Sequence, residues 1–75
     1  MDVRGFLHEY NQGNRNFCGV ILHNADLRGQ TLSGIDFSQA DLSGADFSRG
    51  NLSRANIKYA NLTNADLAEA DLSSA

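Results

Sequence analysis

The sequence has no proline, no tryptophan and a single cysteine, Cys18. One cysteine cannot close a disulfide within the chain, so the fold is not a disulfide-stapled scaffold. No apolar run reaches the length of a signal peptide or a membrane span, and we therefore expect a cytoplasmic protein by default. Charge of one sign is also scarce, because six Lys and Arg oppose nine Asp and Glu for a formal net charge of −3. This balance argues against direct binding to nucleic acid or to a membrane surface.

What the sequence does have is a repeat of five residues, which runs from residue 15 to its end. Every fifth residue, beginning with Phe17, is large and apolar, which gives twelve repeats. In most repeats a small residue precedes the apolar one by two positions, and Asp or Asn stands between them in ten repeats. Such self-similarity at a fixed period indicates a solenoid. The apolar positions are Phe17, Leu22, Leu27, Leu32, Phe37, Leu42, Phe47, Leu52, Ile57, Leu62, Leu67 and Leu72.

Neither a helix nor a long straight strand can use this period. Five residues advance an α-helix by about 500°, which scatters the apolar side chains around its surface. A straight strand would turn them to opposite faces at alternate repeats. The pattern fits a three-residue extended segment followed by a two-residue corner such as Ser43 and Gly44. We therefore expect coils whose apolar stepping side chains all point inward and are buried.

The repeats in the middle and at the end of the chain resemble the pentapeptide repeat family. The resemblance is carried by A-D-L-S-G and A-D-F-S-R in residues 40–49 and by A-N-L-T-N and A-D-L-A-E in residues 60–69, and it covers residues 15–75. It implies an all-β solenoid, a right-handed quadrilateral β-helix with four pentapeptides per coil. Twelve repeats would then make about three coils.

The first four repeats depart from the family pattern. Arg15, Val20 and Gln30 replace the small inward residue, and Ile21 and Thr31 replace the outward Asp or Asn. We expect the first coil to be distorted or covered at these positions.

Residues 1–14 precede the repeat and predict a capping helix with its connection. One apolar stripe at helical spacing is formed by Val3, Phe6, Leu7 and Tyr10. Asp2 can cap the start of this helix and Gly13 can end it. Because the first coil of a solenoid needs a cover, we assign residues 2–12 to that cap. A membrane-anchoring helix is disfavoured because the polar face lacks a basic excess.

Cys18 and His23 lie near corners of adjacent repeats and could form a nucleophile pair. A convex rod offers little concavity for catalysis, however, and no metal-ligand spacing recurs when His8 and Asp26 are included. The sequence therefore predicts no catalytic residue, no metal site and no cofactor.

Asp26, Asp46 and Asp66 stack at outward positions twenty residues apart. Some pentapeptide repeat proteins resemble DNA, so the resemblance offers an alternative function: a DNA-mimicking inhibitor or protector of a topoisomerase such as gyrase. Against it, short acceptor side chains at such positions bond local backbone amides, and Arg28 and Arg49 lie on the same side of the coil. Three coils would also span only about four base-pair steps.

Four residues form the candidate surface for a protein partner. Arg49, Arg54 and Lys58 surround consecutive corners, and Tyr59 stands at the next one. Arg and Tyr carry much of the binding energy of interfaces. The alternative is that these side chains are solvated and hinder edge pairing. We interpret the chain as a non-enzymatic structural scaffold or protein-interaction module, similar to the pentapeptide repeat proteins abundant in cyanobacteria.

The repeat stops in mid-pattern at Ala75, and no capping helix follows it. The last coil is therefore expected to expose an apolar rim and unpaired backbone groups. Two arrangements would cover it: continuation into a longer solenoid, or an end-to-end homodimer in which the C-terminal coils meet about a two-fold axis. The expected contact residues are Ile57, Leu62, Leu67 and Leu72.

Overall fold

The structure, a computed structural model, describes all 75 residues. It has one helix, α1 (Val3–Asn11), and a coiled ladder that contains no strand longer than a bridge. Eight isolated parallel bridges join residues twenty positions apart, from Asn16 with Asp36 to Asn51 with Asp71. Four pentapeptides therefore make one coil, and successive coils stack in register.

Each coil has four sides, and corresponding sides stack in columns. Each side is a three-residue segment whose outer residues point inward and whose middle residue points outward. We number the columns by their residues: side 1 is 15–17, 35–37 and 55–57; side 2 is 20–22, 40–42 and 60–62; side 3 is 25–27, 45–47 and 65–67; and side 4 is 30–32, 50–52 and 70–72.

The corners between sides are tight turns. In the first of them the Val20 N–H donates to the Phe17 carbonyl at 3.1 Å, and the residue before Val20, Gly19, has φ +74°. A positive φ at the third residue is the signature of a type II turn, which accommodates glycine without strain. Later corners place other residues there, including Arg49, Arg54 and Tyr59 with φ of 58°, 60° and 60°.

The core follows the axis of the coil, and the burial of the apolar positions depends on the coil. The eight stepping residues from Phe17 to Leu52 are buried. The prediction that all twelve are buried is wrong for the last four, because no further coil lies beneath them. Ile57, Leu62 and Leu67 are partly buried, and Leu72 is 38% exposed.

Helix α1 has the apolar face that its spacing predicts, with Phe6 and Tyr10 buried. Asp2 is the N-cap residue, but its side chain makes no capping hydrogen bond. At the other end the Gly13 N–H donates to the Tyr10 carbonyl and the Asn14 N–H donates to the Glu9 carbonyl. With φ +100° at Gly13, this pair of bonds is a Schellman motif, which turns the chain into the first coil.

The helix covers the open end of the first coil. The Phe6 ring is fully buried and meets the Phe17 ring edge to face, with centroids 4.7 Å apart. The Tyr10 hydroxyl donates to the Ser33 carbonyl at 2.9 Å, and the N-terminal ammonium donates to the Ile21 carbonyl at 2.7 Å. In later coils the corresponding carbonyls accept from the preceding coil, and here the cap supplies the donors instead.

The first coil is covered but not distorted, since each of its outward residues takes part in the ladder. Arg15 does not point into the core. Its guanidinium lies 3.7 Å from the centre of the Tyr10 ring, and Nη1 donates to the Tyr10 carbonyl at 2.9 Å. The departure from the repeat pattern at Arg15 therefore serves the junction between α1 and the coil.

Candidate interaction surface

The outward Asp and Asn residues serve the backbone. All ten accept, through Oδ1, a hydrogen bond from the N–H two residues later. This contact stabilises the entry to each corner, as expected for Asx turns. The two repeats without this contact have Ile21 and Thr31 at the outward position, and neither side chain has an Oδ1 atom. The outward position is therefore occupied by structural side chains that leave few free acceptors.

The aspartates of side 3 do not form a free acidic stripe. Arg28 donates two hydrogen bonds to the Asp26 carboxylate, at 2.8 and 2.9 Å, and its Nε lies 3.8 Å from Asp46 Oδ2. The Arg28 hydrogen bonds lower the pKa of Asp26, and the Ser48 hydrogen bond lowers the pKa of Asp46. One guanidinium thus serves two of the three stacked carboxylates, which weakens the resemblance to a phosphate backbone.

Arg49 lies on the same corner as this cluster, between sides 3 and 4. Its Nε donates to Glu69 Oε2 at 3.2 Å, and both side chains are exposed. Together with Arg28 and Asp46 the pair lines a shallow polar depression. Three carboxylates and two guanidinium groups line the depression, and the ion pairs among them leave it without a strong preference for a ligand of one sign.

Of the four predicted surface residues, the structure brings Arg54 and Lys58 together and separates Arg49. Arg54 and Lys58 line a second depression that includes Ile57 and Ala75. Tyr59 follows Lys58 at the corner between sides 1 and 2, and 86% of it is exposed. This corner is diagonally opposite that of Arg49.

The C-terminal rim is the least satisfied part of the molecule. Eight backbone N–H groups there have no partner within the chain: those of Ile57, Tyr59, Leu62, Asn64, Leu67, Glu69, Leu72 and Ser74. Four carbonyls are equally free: those of Ala55, Ala60, Ala65 and Ala70. The inward apolar residues of this coil are only partly buried. In each earlier coil the corresponding groups bond the coil that follows, as the Gln39 N–H does by donating to the Lys58 carbonyl.

The sequence predicts the apolar part of this rim, but it does not predict that free N–H groups outnumber free carbonyls there. The extra donors are the corner N–H groups, such as that of Tyr59, which in earlier coils donate to the next coil. The direction of the N–H at a corner follows from the turn type, which the repeat period alone does not determine. The run of glycines at the third turn position, Gly19, Gly29, Gly34 and Gly44, was the available signal.

No group of three or more His, Cys, Asp and Glu side chains is arranged to hold a metal ion. Cys18 is exposed, and the nearest acidic partner of His23 is Asp41, with Nδ1 and Oδ2 4.0 Å apart. The single helix is neither long nor apolar enough to cross a membrane.

A ladder of twenty-residue coils, in which ten of the twelve corners are held by an Asx bond, defines a pentapeptide-repeat solenoid with a helical cap at one end. The profile of pentapeptide repeats matches eight copies in residues 21–58 and 51–75. The chain belongs to the pentapeptide repeat family, as its sequence indicates. No curated protein matches it.

Two solved structures are similar to the whole chain. HetL, a pentapeptide repeat protein involved in heterocyst differentiation regulation in the cyanobacterium Nostoc sp. strain PCC 7120, is 35% identical with a TM-score of 0.83. The match covers 97% of this chain and 33% of HetL, so this chain spans about one third of that protein. The pentapeptide repeat protein alr5209 from Nostoc PCC 7120 is 28% identical with a TM-score of 0.77, over 96% of this chain and 72% of alr5209. These relatives imply the right-handed quadrilateral winding.

Proposed function

We propose that this protein is a non-enzymatic structural scaffold or protein-interaction module that binds a protein partner through the corner formed by Lys58 and Tyr59. The observation that carries the proposal is the Tyr59 side chain, which is 86% exposed at that corner. Exposed aromatic residues supply much of the binding energy of protein interfaces.

This corner lies between sides 1 and 2 of the last coil. Tyr59 holds a left-handed conformation, with φ 60°, and presents 86% of its surface to solvent. Eight corners hold this conformation at a residue other than glycine, so the exposed aromatic ring, and not the backbone, distinguishes Tyr59. An exposed Tyr next to Lys58 suits protein recognition better than solvation alone.

Catalysis and DNA mimicry have less support. Both surface depressions are shallow, and the Asp and Asn side chains that could act as bases are engaged in corner hydrogen bonds. Arg28 forms ion pairs with two of the three stacked carboxylates of side 3. The similarity to HetL, a protein involved in regulation of differentiation, fits a module that acts by contact.

Photocrosslinking in cells that express the protein tests the proposal. A benzoylphenylalanine replaces Tyr59 in one variant and Gln39 in the control. Gln39 occupies the same corner one coil earlier, is also exposed and has φ 61°. We expect discrete adducts, whether with another polypeptide or with a second copy, from position 59 and none from position 39.

Equal crosslinking from both positions, or none from either, would contradict an interaction module centred on the Tyr59 corner. A gyrase supercoiling assay provides the second arm. We expect no inhibition at micromolar protein, and clear inhibition would favour DNA mimicry instead.

A further inference from the structure

Charge is distributed unevenly around the solenoid, although the chain as a whole is mildly acidic. Side 1 and its two flanking corners carry three cations and a single acid, Asp36. The cations are Arg15, Arg54 and Lys58. Side 3 and its corners carry four carboxylates and only two guanidinium groups. The solenoid therefore has one basic face, with an acidic face opposite to it.

The backbone does not impose this distribution. Asp36 and Asn56 occupy the same outward position of side 1 in successive coils, and each accepts a hydrogen bond from the N–H two residues later, at 2.9 and 3.1 Å. An amide oxygen and a carboxylate oxygen therefore serve the corner equally well. Side 1 nevertheless has Asn in two of its three coils, whereas side 3 has Asp in all three. The charge of each face is thus free to serve recognition.

One segment of side 1 presents a row of hydrogen-bond donors. Arg54, Asn56 and Lys58 alternate along the chain, and all three are exposed. Because Oδ1 of Asn56 accepts from the Lys58 N–H, its Nδ2 remains to donate to a ligand. In no other segment is the outward residue flanked by cations two positions before and two positions after it. The row is therefore the most basic part of the surface.

Neither Arg54 nor Lys58 pairs with a carboxylate of the chain. In this they differ from the two guanidinium groups at the corner between sides 3 and 4, which both form ion pairs. The neighbours of Arg54 in its own column are Gly34 and Ser74, and neither is charged. A carboxylate that binds the row would consequently displace no existing ion pair.

An acidic polypeptide segment suits this row better than a nucleic acid or a second copy of the chain. A phosphate backbone that ran along side 1 would meet the carboxylate of Asp36, which lies one coil above Asn56. A second copy offers its acidic side 3. Because sides 1 and 3 of one molecule face opposite directions, contacts of that kind would not close and would form open rows.

The length of the row sets the spacing of the carboxylates that it binds. Lys58 follows Arg54 by four positions, which is a span of at most about 13 Å at about 3.3 Å per residue. In an extended segment every second side chain lies on the same face, so carboxylates four positions apart cover a similar span. Tyr59 follows Lys58 directly and is 86% exposed, and a segment that continues past the row therefore meets its ring.

We propose that side 1 binds an acidic, extended segment of another polypeptide, with one carboxylate on Arg54, a second on Lys58 and an acceptor between them on Asn56. This inference rests on the proposed function and gives the chemical class of the partner that the Tyr59 corner binds. The contact lies on the lateral face of the solenoid and uses its side chains.

NMR titration of the isotope-labelled protein tests the proposal at about 0.1 M salt, with a decapeptide of alternating Glu and Ser as the ligand. We expect shifts centred on the Asn56 side-chain amide and the Arg54 Nε–H, and none with the same peptide in which Gln replaces Glu. Arg54→Gln/Lys58→Gln should raise the peptide dissociation constant roughly 5-fold or more, because two exposed charge pairs are lost. The fold tolerates Gln at position 54, since Gln39 holds the same turn conformation with φ 61°.

Arg28→Gln/Arg49→Gln is the matched control. It changes the net charge equally, and Arg28 and Arg49 occupy the first and second positions of their corner, as Lys58 and Arg54 do of theirs. We expect the peptide dissociation constant of this control to stay within about 2-fold of the wild-type value, because charges more than about 10 Å away are largely screened. An absence of shifts at Asn56, or equal weakening by the two double variants, would overturn the inference.

The photocrosslinking variant at position 59 identifies the occupant in cells. Adding Arg54→Gln/Lys58→Gln should abolish its adducts, and undiminished adducts would refute the acidic chemistry while leaving the proposed function intact. A single-stranded oligonucleotide that binds the row more tightly than the peptide would assign the row to nucleic acid. Shifts that depend on protein concentration alone would assign it to a second copy. Either result would overturn the inference.

Discussion

The ring of Phe6 packs against the ring of Phe37 in a stacked arrangement, with centroids 5.8 Å apart. Phe6 belongs to the helical cap and Phe37 to the second coil, so the contact reaches past the first coil into the middle of the core. The cap is therefore part of the core of the solenoid.

Phe6→Ala tests this role. We expect a loss of about 3–5 kcal/mol in the free energy of unfolding, because a fully buried ring in contact with Phe17 and Phe37 is removed. Urea denaturation followed by circular dichroism measures it. Tyr10→Phe is the control, since it removes only the hydroxyl bond to Ser33 and should cost about 1 kcal/mol. Equal effects would contradict the central role of Phe6.

Burial along one column predicts how much stability a truncated side chain costs in each coil. Leu42 and Leu62 occupy the same inward position of side 2 in successive coils, but Leu42 is 1% exposed whereas Leu62 is only partly buried. We expect Leu42→Ala to cost about 2–5 kcal/mol and Leu62→Ala clearly less in the monomer. Denaturation at low protein concentration separates this effect from dimerisation. Equal losses would mean that the last coil is covered in solution.

Gly44 is more demanding than other corner glycines. It has φ +67°, and an added Cβ would collide with Asn24 Oδ1, whereas Gly34, with φ +71°, has open space around it. We expect Gly34→Ala to cost about 1 kcal/mol and Gly44→Ala more. In an Asn24→Gly background the two substitutions should cost the same, as a double-mutant cycle would reveal. A persistent difference would assign the sensitivity of Gly44 to something other than Asn24.

The corner aspartates make stability depend on acid. Hydrogen bonds from Ser38 lower the pKa of Asp36, and those from Ser43 lower the pKa of Asp41. The unfolded carboxylates, with pKa values of about 3.9, bind protons first as the pH falls. Stability is therefore fully present above that value and is lost as the pH drops through the lower folded values.

Asp36→Asn separates the charge from the acceptor, because Asn56 makes the same Oδ1 contact one coil later. We expect the variant to match the wild type within about 0.5 kcal/mol at pH 7 and to lose less stability between pH 4 and pH 2. Melting temperatures across that range measure the difference. Parallel curves for the two proteins would show that Asp36 plays no part in the acid dependence.

The period of five predicted most of the fold because each repeat contacts only its neighbours, so one unit determines the next. The register of Phe17, Phe37 and Ile57 in one column follows from that alone. The junction between the helix and the first coil could not be predicted in this way, because its contacts occur only once in the chain. There Arg15 packs on Tyr10, and the Met1 ammonium bonds the Ile21 carbonyl. The separation of Arg49 from Lys58 can be predicted only once the coil is known to have four sides, because proximity in sequence does not indicate which corner a residue occupies.

The twenty-residue ladder also fixes the direction around the solenoid axis in which each surface residue points. Deletion of one pentapeptide leaves the inward pattern unbroken but carries all later side chains a quarter turn around the axis relative to the helical cap. Deletion of four pentapeptides returns these side chains to their original direction, one coil nearer the helical cap. Lengthening or shortening such a chain can therefore rotate Tyr59 to any of four directions without altering the chemistry of a single residue.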